Sequence, residues 1–102
     1  MADPKKHFYL KLNPNRASFM ADMDPGEREI MTRHVAYWAP LVEDGTVLIL
    51  GPVMAPQGGF GMAVVAVDDE SHLDRLIAAD PALAIGTYET YPMRAVTKKP
   101  VS

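Results

Sequence analysis

Two side chains in this sequence could pass a proton between them, His34 and Asp80. His34 stands in "EIMTRHVAYWAPL", where Ile30, His34, Trp38 and Leu41 recur at spacings of four, four and three. That spacing is one face of a helix, and the face is apolar. A histidine there has two readings. It can be a core residue hydrogen-bonded to backbone. Or its imidazole can form a pocket wall and exchange protons near neutral pH. The second role needs an orienting partner, usually a carboxylate on the other ring nitrogen. Asp80 can be that partner. It comes seven residues after Leu73 and four after Leu76, so it stays near the inward stripe of a second helix. Its competing reading is turn chemistry, since Asp before Pro81 commonly starts a turn.

Other candidates are weaker. Gly51 and Pro52 interrupt an apolar strand. They mark either a bulge or a strand end, or a place where missing side-chain bulk leaves room for a ligand. Trp38 and Tyr9 are aromatics of core or interface type that could also contact a substrate. Seven methionines suggest adaptable packing, around a small apolar ligand for example. Gly58, Gly59 and Gly61 fit a hairpin with close packing at Gly61, and no phosphate-loop spacing is present. A metal site is not expected. His7 and His72 show no spacing that converges with His34, and the chain has no cysteine. No Gly-x-Ser-x-Gly elbow surrounds Ser18 or Ser71.

The elements that must position these groups are legible. "HFYLKL", His7 to Leu12, alternates like a strand, with Phe8 and Leu10 on one face and Tyr9 and Lys11 on the other. Asn13 to Met23 is a loop. Its Phe19, Met20 and Met23 are apolar enough to lie over a cavity or an interface. "DPGERE" opens the first helix, with Asp24 as N-cap, Pro25 at the first helical position and Glu27 completing a capping box. Pro40 deletes a backbone donor and should bend the last turn. Gly45 is the left-handed cap. "TVLILGPV" is apolar on both faces, which predicts a buried central strand. "MAPQGGFG" is a turn cluster. "MAVVAV" is another strand apolar on both sides. "DDESHLDRLIAAD" is the second helix, with acids at its start, where the helix dipole favours them, and Pro81 at its end. The last strand runs roughly from Tyr88 to Val96, and Pro92 suggests an edge or a bulge. "TKKPVS" is a polar tail.

The order β-α-β-β-α-β predicts a ferredoxin-like α+β fold, a four-stranded antiparallel sheet with two helices on one face. The face without helices needs a cover, and a second copy of the same sheet is the simplest one. One domain over 1–102 is expected, with its core over about 6–96 and the tail over 97–102. That suits 102 residues, 48% of them hydrophobic. A formal charge of −3 and scattered basic residues argue against nucleic acid. No apolar stretch approaches the length that spans a bilayer, and "MADPKKHFYL" lacks the apolar core of a signal peptide. The expectation is a cytoplasmic protein without membrane partners.

"RHVAYWAPLVEDG", then "LILGPV", a Gly-rich hairpin and "AADPALAIG" together resemble the YCII-related (YciI-like) domain family. The resemblance runs from about Glu27 to Val96. It implies a ferredoxin-like fold that dimerises through its sheets as an α+β barrel. It also implies a His–Asp active-site pair, carried here by His34 and Asp80. One characterised relative looks like a dehydrochlorinase acting on a chlorinated hydroxyhydroquinone, and the fold is similar to muconolactone isomerase. This chain departs in its irregular Asn13–Met23 loop. It departs again at Ala82, which replaces the usual aromatic after Asp-Pro and would enlarge or reshape the pocket.

Three functions compete. One is a small cofactor-independent enzyme using His34 and Asp80 for acid–base chemistry. Elimination, isomerisation or hydrolysis of a small cyclic or phenolic metabolite would suit it, with Gly51, Pro52, Trp38 and Tyr9 at the substrate. The second is a non-catalytic dimeric module that binds a small ligand or serves as an accessory domain. The third is a satisfied buried pair with a structural role.

Overall fold

Alternation decides the sheet. In the first strand, β1 (Lys6–Pro14), Phe8, Leu10 and Leu12 are buried while their neighbours stay partly open. In β3 (Phe60–Val67), Ala63, Val65 and Val67 are buried in the same rhythm. These side chains project from one side of the pleat, and that side carries the core. β2 (Val47–Val53) and β4 (Gly86–Met93) complete an antiparallel four-stranded sheet in the order β2-β3-β1-β4. This computed structural model describes residues 4–98. Residues 99–102, most of the expected polar tail, lie outside the described residues.

Two helices cover the core side. α2 (Pro25–Glu43) buries Trp38, and α3 (Glu70–Ala78) buries Leu73. Both join a cluster with Phe8, Leu10, Val47, Val65 and Val67. The Tyr37 hydroxyl ties the helices together by donating to the Leu76 carbonyl at 2.7 Å. The ferredoxin-like α+β architecture expected from the chain is therefore the one observed.

The start of α2 follows its sequence. The Asp24 carboxylate accepts from Glu27 N–H at 2.8 Å, and Glu27 Oε1 accepts from Asp24 N–H at 3.0 Å. Asp24→Ala removes the first of these bonds, and is expected to cost about 1 kcal/mol in chemical denaturation. An unchanged midpoint would show that the cap contributes nothing. At the other end Gly45 has φ +86°, the left-handed conformation that ends a helix.

Four expectations change. First, β2 is an edge strand, not a central one, and Ile49 is 58% exposed. Apolar residues on both faces serve a central strand and an edge strand on an uncovered sheet equally well, so composition could not separate the two. Second, Gly51 and Pro52 do not interrupt β2. The register slips earlier, between Val47 and Ile49. Third, β4 begins at Gly86 and ends at Met93, earlier than Tyr88 to Val96 at both ends. Pro92 lies within it, on an edge strand where a missing donor is tolerated. Fourth, the Asn13–Met23 segment contains a short helix, α1 (Phe19–Asp22).

Candidate active site

Asp80 does two things at once. It caps a 3₁₀ turn, Pro81–Ala84, by accepting from Ala82 N–H at 2.9 Å. Its carboxylate also faces α2. His34 Nδ1 lies 2.9 Å from both Asp80 oxygens. Trp38 Nε1 donates to Oδ2 at 2.8 Å, and the Tyr88 hydroxyl donates to the same oxygen at 2.5 Å. Four groups from three parts of the chain thus converge on one carboxylate. His34 and Trp38 are one helical turn apart on α2, so a single helix face delivers both. Tyr88 comes from β4, opposite Leu12 and therefore on the core side of the sheet.

Asp80 is 3% exposed, and His34 8%. Burial alone would push the Asp80 carboxyl up. Hydrogen bonds from His34, Tyr88, Ala82 N–H and Trp38 outweigh it and hold the group below its ordinary value. The Tyr88 phenol moves the other way. Burial raises it, and the adjoining carboxylate raises it further. At neutral pH Asp80 is therefore an ionised acceptor and Tyr88 a protonated donor. The His34 tautomer follows. A carboxylate has no proton to give, so Nδ1 carries one, and the neutral tautomer is the one with its lone pair on Nε2.

His34 also lines a cavity of about 360 Å³ between α2, the Asn15–Met23 segment and the sheet. Nδ1 is engaged with Asp80, and among the described residues Nε2 has no hydrogen-bond partner. Gly51 and Pro52 line this cavity too. A Cβ built on Gly51 would meet no atom within 4 Å, but Gly51 pairs with Met62 opposite Lys11, so that free space is on the open face of the sheet. Five of the seven methionines are in the wall: Met20, Met23, Met31, Met54 and Met62.

The remaining candidates fall elsewhere. Trp38 is fully buried and touches Asp80, not the cavity. Tyr9 lies on the open side of the sheet, where its ring is 6.2 Å from that of Tyr91. Ala82 packs in a second cluster with Leu12, Phe19 and Ile85 and does not reach the cavity wall. Tyr88 is the one donor at Asp80 whose side chain the sequence does not single out. Its strand "GTYETYPM" places tyrosines on both faces, so alternation gives it no distinctive signal. Among the described residues no group of three or more His, Asp or Glu gathers to hold a metal.

The cover of the cavity is locally tied. Phe19 is buried beneath it. Arg16 grips Glu27 through two bonds of 2.8 Å and donates to Asp22 at 2.8 Å. The guanidinium and the capping-box bond from Asp24 N–H together hold the Glu27 carboxyl down at about 2. Gly58 and Gly59 seat the cover against the β2–β3 hairpin. A Cβ at Gly58 would come 3.0 Å from the Ala17 carbonyl, and one at Gly59 would strike Met20 Sδ at 2.3 Å. Among the hairpin glycines the closest approach is therefore at these two, while Gly61 makes an ordinary contact with Leu12 at 3.4 Å.

Residues 8–97 match a family model described as the YCII-related domain. No curated protein matches the chain. Among the described residues no helix is long and apolar enough to cross a membrane.

Proposed function

The chain belongs to the YCII-related domain family, and on that premise we propose a small cofactor-independent enzyme in which His34 is the general base or acid. One observation carries this reading. His34 is fixed through Nδ1 by a buried carboxylate while its side chain forms part of a cavity wall. That arrangement leaves Nε2 free to take a proton, and Asp80 stabilises the imidazolium that results. Asp80 does not take the proton itself, because its donors favour the ionised form. The chemistry that suits a lone oriented imidazole is elimination, isomerisation or hydrolysis on a substrate that is already acidic. Small cyclic enols, lactones and phenols are the compounds to screen.

The working form is a homodimer joined through the open sheet face, in the cytoplasm. Ile49, Tyr91 and Met93, exposed and apolar or aromatic, support that arrangement. Removing them from water would give the sheet a second covered side.

His34→Ala is the deciding variant. Asp80 would retain Trp38, Tyr88 and Ala82 N–H as donors, so the fold should survive. Turnover of a substrate found by screening is expected to fall by about 10² to 10⁴. A His34→Ala protein that turns over at the original rate removes the imidazole from the mechanism. Unchanged binding of the substrate to a protein that never converts it would point to a binding module instead.

A further inference from the structure

The cavity wall carries almost no polarity. Its polar side chains among the described residues are His34 and Tyr88, and no lysine or arginine lines it. Arg16, on the cover, is occupied by Asp22 and Glu27. An anionic ligand would leave water for an apolar chamber with no lysine or arginine to pair with it, and any charge on His34 is already matched by Asp80. It would also stand beside an imidazole backed by the ionised Asp80.

The two polar groups share a second property. The His34 proton is committed to Asp80 through Nδ1, and the Tyr88 proton is directed at Asp80 Oδ2. What the neutral imidazole and the phenol have left is a lone pair. A ligand that makes a hydrogen bond here must bring the donor. The remaining wall, Met20, Met23, Met31, Leu50, Pro52 and Ile85 among others, is apolar, and its thioethers adapt to shape without supplying charge.

Building on the acid–base reading above, we propose that this site takes an uncharged, mostly apolar ring compound with one acidic donor, bound by donation to His34 Nε2. Carboxylate- and phosphate-bearing metabolites are shut out. Selectivity thus rests on two physical terms: the cost of desolvating an anion without a cation, and the single acceptor on the imidazole.

Three probes of one shape test it: para-ethylphenol, para-ethylanisole and para-ethylbenzoate, titrated at neutral pH into protein with methyl-labelled methionine. The phenol should shift the signals of Met20, Met23, Met31 and Met54, and leave Met93, which is not in the wall. It should also move the Nε2 resonance of His34. The ether, which cannot donate, should bind weaker by about tenfold or more, the worth of one hydrogen bond. The benzoate should bind weaker than the phenol by more than about a hundredfold. Benzoate or ether binding as tightly as the phenol would overturn the proposal. So would a phenol that leaves the cavity methionines unmoved at millimolar concentration. Turnover is not read here. Selective phenol binding, alongside a His34→Ala variant whose kcat is unchanged and whose KM is raised, would sink the acid–base reading and leave this one standing.

Discussion

Asp80→Asn is expected to slow catalysis by about 10² to 10⁴, as much as loss of His34 itself, because an amide fixes the wrong imidazole tautomer. The amide N–H₂ would donate where the carboxylate accepts, so Nδ1 of His34 becomes the acceptor and the proton moves to Nε2. The base then faces the cavity already protonated. The substitution is also not a quiet one for stability. Trp38 Nε1, the Tyr88 hydroxyl and Ala82 N–H all point at carboxylate oxygens. Each donor left facing an amide N–H₂ costs about 1–3 kcal/mol. A domain of this size has about 5–15 kcal/mol of stability, so the loss should show plainly in urea unfolding. An Asp80→Asn protein with full activity would take Asp80 out of the mechanism.

The same carboxylate has a pH signature. Its folded pKa lies below the ordinary value of 3.8. The stabilisation it contributes is therefore present above that value, and is lost as pH falls through the folded pKa. Asp80→Asn should be flatter than the original chain in that acid range. The residual slope should come from other carboxyls that are also held low, such as Glu27 at about 2.

Trp38→Ala should be the most damaging change in the core. Trp38 has no exposed surface, and it packs edge-on against Tyr37 with ring centroids 5.2 Å apart. Emptying that volume costs about 3–5 kcal/mol. Loss of the indole donor to Asp80 adds to it. Trp38→Phe separates the two contributions, since it keeps most of the ring and removes the N–H. It should cost about 1.5–3 kcal/mol, the worth of a hydrogen bond to a charged group. Trp38 is the one tryptophan of the chain, so circular dichroism, not fluorescence, must follow these unfolding curves. A Trp38→Ala loss below about 1 kcal/mol would mean that the indole does not anchor this core.

Local signals carried the sequence a long way. The capping box at Asp24 and Glu27, the left-handed Gly45 and the His34–Trp38 spacing are all settled within a few residues, and each appears in the structure. The His34–Asp80 encounter needed the fold as well, and the β-α-β-β-α-β order supplied it. What stayed hidden depends on distant pairing. The donors gathered around Asp80 come from α2, β4 and the 3₁₀ turn, and no spacing connects Tyr88 to Trp38. The edge position of β2 is set by strand order, which its own apolar residues do not encode. The cover over the cavity is built by Arg16 reaching back to Glu27, a contact that periodicity cannot show.

The outer margin at β2 has a consequence for solubility. Its seven residues, Val47–Val53, carry no charge, and one side of its backbone meets no other strand among the described residues. Such a margin is a template on which further chains can stack into fibrils. Pro52 interrupts the row of amide donors there. Position 52 therefore answers to two demands, shaping a chamber on one flank and acting as gatekeeper against misassembly on the other.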